Sequence, residues 1–83
     1  MMSASVSPDV SLHLRGVACP MNYVKSKLRL ERMEPGQLLE IFIDAGAPMR
    51  NVPRSITNDG HKVVLTEEHE GGFRLLIERG AES

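Results

Sequence analysis

The sequence predicts an α+β domain, a two-layer α/β sandwich with two helices on one face of a mixed four-stranded sheet. Three observations lead there. Strand-like and helix-like stretches follow one another in the order β-α-β-α-β-β. The first helix joins two strands, which makes them parallel, with the helix crossing one face. And 83 residues suffice for one modest core, not two. The predicted division is a disordered leader over residues 1–10, one domain over 11–80 and a short tail at 81–83.

Ser11 to Arg15 alternates, with Leu12 and Leu14 on one face, and reads as a strand. Pro20 suits the first position of a helix, where its missing N–H is not needed, so Cys19 is the expected N-cap and the helix runs to about Glu34. Pro35-Gly36 stops it. On this helix Met21, Tyr23, Val24, Leu28 and Leu30 are expected to share a broad apolar side, with Lys25, Arg29 and Arg32 opposite and Lys27 at the margin. Gln37 to Asp44 reads as a strand covered on both sides. A second helix is expected from about Pro48 to Asn58, with an irregular first turn and a regular helix only from Pro53, because proline inside a helix costs about 3 kcal/mol. His61 to Glu68 and Phe73 to Arg79 are the last two strands, joined by a turn at Gly71-Gly72.

Composition narrows the function. Net charge is −1, with two Phe, one Tyr and no Trp. This argues against an RNA-binding module, which needs basic surface and stacking aromatics. No apolar run approaches the roughly 20 residues that span a bilayer, and the start lacks a signal-peptide shape. A single cysteine suits a reducing compartment, so a soluble cytoplasmic protein is expected. Charge is uneven: Arg15 to Arg32 holds five cations and one anion, and Val64 to Ser83 five glutamates and two arginines. Two readings are open, ordinary solvated faces or a basic docking face beside the cysteine.

Cys19 is the residue with evident chemistry. At a helix N-terminus, unpaired N–H groups and the positive end of the helix dipole favour thiolate over thiol. A thiolate can attack a persulfide or disulfide sulfur. The alternative is a buried cysteine packed as a small hydrophobe. Arg15-Gly16 can shape the loop before it, since glycine permits turns other residues resist. Asp44 is expected to cap the turn after its strand. Arg50 and Arg54 share a helix face and can extend a basic surface or simply be solvated. His13 is expected to be exposed. His13, His61 and Cys19 lack the ligand pairs that a zinc site uses. Neither a phosphate loop nor a paired-carboxylate acid/base site is evident.

The run L-H-L-R-G-V-A-C-P-M-N, followed by E-P-G-Q-L-L-E-I, N-V-P, G-H-K-V and L-L-I-E-R, resembles the TusA/SirA family of sulfur-carrier proteins over about residues 11 to 79. The family motif is R-G-x-x-C-P-x-P with an Asp two residues before the Arg. Here the motif is C-P-M-N, with Asn22 at the second proline and His13 at the Asp. The resemblance implies a fold like the C-terminal domain of translation initiation factor three. It also implies that Cys19 accepts persulfide sulfur and passes it on, without a cofactor or bound metal. The implied partners are a sulfur donor, such as a cysteine desulfurase or rhodanese-like protein, and an acceptor protein. The activity is sulfurtransferase-like; a non-catalytic protein-binding adaptor or regulator on the same fold is the alternative. Arg15, Asn22, Lys25 and Arg29 are the candidate modulating or docking residues. For Asn22 the expectation is specific: as the third helical residue, its N–H donates to the Cys19 thiolate, a bond that proline at this position cannot make.

Overall fold

The computed structural model describes residues 8–18 and 20–81. The elements run β1 (Val10–His13), α1 (Met21–Glu31), β2 (Leu38–Asp44), α2 (Ala47–Asn58), β3 (Lys62–His69) and β4 (Gly72–Glu78). The sheet order is β1-β2-β4-β3. β1 is parallel to β2, and the two remaining pairings are antiparallel, so the predicted mixed sheet and two-layer α+β fold are what the chain adopts. Residues 1–7 and 82–83 lie outside the described residues. The sheet begins at Val10, one residue earlier than expected. Asp9 already anchors it, donating its N–H to Leu38 O and accepting the Leu38 N–H, both at 2.8 Å.

Period-two alternation explains the core. Leu39, Ile41 and Ile43 of β2 and Leu75 and Ile77 of β4 are buried, and Val10, Leu12, Phe73 and Val63 pack against them. Leu14, Leu30, Met33, Val52 and Ile56 complete the cluster from the helix layer and the first loop. On the opposite sheet face His13 is exposed, as expected, and stacks on Phe42 with ring centroids 4.7 Å apart.

Three local expectations need correction. First, α2 is helical from Ala47 and passes through Pro53. The helix gives up one hydrogen bond there, but Val52 and Ile56 on either side of the proline are fully buried, and that burial holds the segment helical. Second, the β3-β4 turn is centred on Glu70-Gly71, not Gly71-Gly72. Both central residues have positive φ (49° and 83°), which the twist-compatible hairpin turn requires, and His69 pairs with Gly72 across it. Third, the buried side of α1 is only partly the predicted apolar one: Leu30 is in the core and Tyr23 packs against it, but Met21 and Leu28 do not join them. Asn22, Ser26 and Leu30, spaced four apart, are buried with Met33, while Met21 and Leu28 are 49% and 54% exposed. Small polar residues let the helix approach closely, and their polar atoms are satisfied locally: Ser26 Oγ donates to Asn22 O at 2.9 Å.

The segment that follows β4 is tied through polar contacts. Arg79 Nε donates to Leu30 O at 2.8 Å, satisfying a carbonyl near the end of α1. Gly80 N–H donates to Nδ1 of buried His61 at 3.0 Å. Burial, then the nearby Arg79 charge, lower the His61 pKa below its ordinary value. The fold therefore favours neutral His61, and its contribution is full above the unfolded pKa of about 6.5 and is lost as pH falls through the folded pKa. Thermal unfolding followed between about pH 7 and pH 5 should show stability declining with acidification. His61→Asn, which keeps an acceptor for Gly80, should flatten that decline.

Candidate functional site

The site is built where β1 ends and α1 begins. Arg15 and Gly16 leave β1 and are caught by one carboxylate at the end of β2. Asp44 Oδ1 accepts from Arg15 Nε at 2.6 Å, and Oδ2 accepts the Gly16 N–H at 2.8 Å. These bonds, the Arg15 one first, hold the Asp44 carboxyl below the usual carboxylate range. Arg15 Nη1 also reaches His69 O at 3.3 Å, and its guanidinium lies over Gly72. A Cβ on Gly72 would meet Arg15 Cζ at 2.9 Å and run into the Ile43 carbonyl, so Gly72 is a strand residue that must lack a side chain. Gly16, at φ 81°, makes the turn.

Asn22 closes the loop from the other side. Its Nδ2 donates to Val17 O at 3.4 Å and its Oδ1 accepts the Tyr23 N–H at 2.7 Å. Its own N–H donates to Ala18 O at 3.2 Å. The expected donation of this N–H to the cysteine falls on Cys19 and lies outside the described residues; among those described, its acceptor is the Ala18 carbonyl. The helix also starts one residue later than expected, with Pro20 at the N-cap and its carbonyl accepting the Val24 N–H at 2.9 Å. Cys19 itself, and with it the N-cap expectation for its side chain, lies outside the described residues. Its chain neighbours Ala18 and Pro20 are both exposed.

Tyr23 braces α1 against α2. Its hydroxyl donates to Asp59, and that bond, with burial, pushes the Tyr23 pKa up to about 12. The candidate cations divide into two sets. Arg15 is engaged with Asp44 and serves the loop. Lys25, Arg29 and Arg32 form no ion pair with any described residue, whereas Lys27 pairs with Glu31 at 3.0 Å and Arg74 with Glu40 and Glu67. With Leu12 and Leu28, those three cations line a groove of about 300 Å³ beside β1. Among the described residues no three His, Cys, Asp or Glu side chains gather as a metal site. Asp44 and Gly72 are the site residues that sequence reasoning missed in this role; neither carries a local signal for it, since their partner Arg15 is remote in sequence.

The family model for sulfurtransferase TusA matches residues 10–79, which span this loop, both helices and all four strands. The chain belongs to the TusA family. Three curated relatives, each named "putative sulfur carrier protein", are similar to it. That of Archaeoglobus fulgidus is 36% identical over 78 residues, covering 93% of this chain and 89% of its own. That of Methanocaldococcus jannaschii is 37% identical over 68 residues, with 82% and 91% covered. That of Thermotoga maritima is 36% identical over 58 residues, with 70% and 73% covered. The crystal structure of a SirA-like protein from Desulfitobacterium hafniense superposes with a TM-score of 0.74 at 19% identity, covering 86% of this chain and 97% of the other. A solution structure from Helicobacter pylori gives 0.68 at 17%, with the same coverage. These two likenesses establish the shared fold. No helix among the described residues is long and apolar enough to cross a membrane.

Two outcomes test the loop geometry. Asp44→Ala should speed amide exchange at Gly16 by about tenfold, because its charge-assisted acceptor is lost, with little change in global unfolding. Asn22→Ala leaves the Val17 carbonyl and Tyr23 amide without their side-chain partners and should destabilise the fold by about 1–3 kcal/mol in chemical denaturation.

Proposed function

We propose that this TusA-family chain is a sulfur-relay protein that carries persulfide sulfur on Cys19. The observation that supports this best is the family match over residues 10–79, which includes the only cysteine of the chain, in the run R-G-V-A-C-P. In the forward step the Cys19 thiolate attacks the outer sulfur of a donor persulfide. A new S–S bond forms at Cys19 as the donor S–S bond breaks, and the donor leaves as thiolate. The proton on the transferred sulfur travels with it, and there is no net oxidation. In the second step an acceptor thiolate attacks the outer sulfur on Cys19, which leaves as thiolate in turn. Neither step needs a cofactor. The donor is a cysteine desulfurase or rhodanese-like protein and the acceptor another protein, in the cytoplasm.

The roles of the other residues follow from their contacts. Arg15 and Asn22 position the 16–18 loop, and Lys25 and Arg29 offer positive charge in the groove beside β1. The α1 dipole favours thiolate at position 19. Intact-mass measurement after incubation with a cysteine desulfurase and cysteine should show a gain of one sulfur atom, reversed by a reductant and absent in Cys19→Ser. No gain, with partner binding kept in Cys19→Ser, would favour the adaptor role instead. Lys25→Glu should slow sulfur acceptance, more so at low salt, because exposed charges act mainly on association rate.

A further inference from the structure

Three features meet on one flank of the molecule. β1 pairs with β2 on one side and, among the described residues, is the edge of the sheet on the other. Between this edge and the outer face of α1 lies the groove lined by Leu12, Lys25, Leu28, Arg29 and Arg32. Its three cations form no ion pair with described residues, and Arg29 Nε is buried with no hydrogen-bond partner among them. Buried donors are nearly always paired in native proteins, so the groove presents positive charge not matched within the described chain. Leu28, more than half exposed, gives it an apolar wall.

We propose that this groove receives an extended acidic segment of a partner protein, added as a further strand beside β1. An open edge offers backbone hydrogen bonds, and alternate side chains of an added strand supply specificity. The dimensions agree. Four residues of β1 span roughly 13 Å at about 3.3 Å per residue, and Lys25 to Arg32 spans roughly 10 Å at about 1.5 Å per residue. Two acidic side chains flanking one apolar side chain on the same strand face match Lys25, Arg29 and Arg32 around Leu12 and Leu28. The inference rests on the partner-docking part of the carrier reading and specifies how docking occurs. It requires nothing of Cys19.

The test uses the full chain carrying Cys19→Ser, so that sulfur chemistry cannot affect it. The probe is a fluorescein-labelled heptapeptide with glutamate at its second and sixth positions, leucine at its fourth and threonine elsewhere, which places the three on one strand face. Anisotropy should show salt-sensitive binding, weakened about tenfold by Lys25→Glu with Arg32→Glu at low salt and much less at high salt. The counterpart peptide with lysine for glutamate should not bind. On binding, those amides of β1 that point away from β2 should gain protection from exchange. Absent binding, equal binding of both peptides, or binding without that protection would overturn the proposal. So would two results that assign another occupant: self-association abolished by the same charge reversals, which makes it a second copy, or a β1 edge already protected in the free dilute chain, which makes it residues 1–7. Sulfur uptake measured separately on the wild-type chain distinguishes failure of this docking mode from failure of the carrier role.

Discussion

The local architecture of the site depends on one carboxylate. Asp44, at the end of β2, accepts from the Arg15 side chain and from the Gly16 backbone at once. β1 and β2 are parallel neighbours, so their C-terminal ends lie together, and the loop leaving β1 starts beside the residue that ends β2. The same end receives the β3-β4 hairpin, whose His69 carbonyl and bare Gly72 accommodate the Arg15 guanidinium. Loop, central strand and hairpin thus share one cation. Its charge is neutralised there, so Arg15 serves structure, whereas Lys25, Arg29 and Arg32 form no ion pair with any described residue.

The first helix departs in part from the usual division of surfaces. Its buried stripe includes two small polar residues, Asn22 and Ser26, and its outer side exposes Met21 and Leu28 among cations. The buried pair is compatible with a stable core because its polar atoms are satisfied within the helix and the preceding loop. The apolar groups that would ordinarily fill the core are thereby left outside, where they can contact a partner. Asn22 links the two properties: its burial fixes the helix against the domain, and its hydrogen bonds fix the loop.

Peripheral ties hold this helix in place. Tyr23 and Asp59 join it to the end of α2, and Arg79 satisfies a carbonyl near its C-terminus. On the open sheet face, burial would push Glu40 up, but hydrogen bonds from Arg74 and Ser11 outweigh it and leave the carboxyl below its ordinary value. That side of the sheet is bound by charge and by His13 stacked on Phe42, and the helix side by apolar packing.

By itself, the sequence determined the element order, the strand faces and the cysteine run. Each depends on neighbours in the chain: period-two alternation, the Pro35-Gly36 stop, and the Arg-Gly before Cys19-Pro20. The misread parts all depend on distant partners. Whether Pro53 breaks α2 was decided by Val52 and Ile56 finding the core. The turn shifted to Glu70-Gly71 because the pairing of β3 with β4 sets which residues take positive φ. On α1 hydrophobicity placed Leu30 and Tyr23 correctly but not the rest of the buried side, since close packing favoured Asn22 and Ser26 over Met21 and Leu28. The engagement of Arg15 by Asp44, 29 residues away, was decided only by tertiary structure, because a hydrogen bond goes to whichever acceptor the folded chain brings within about 3 Å.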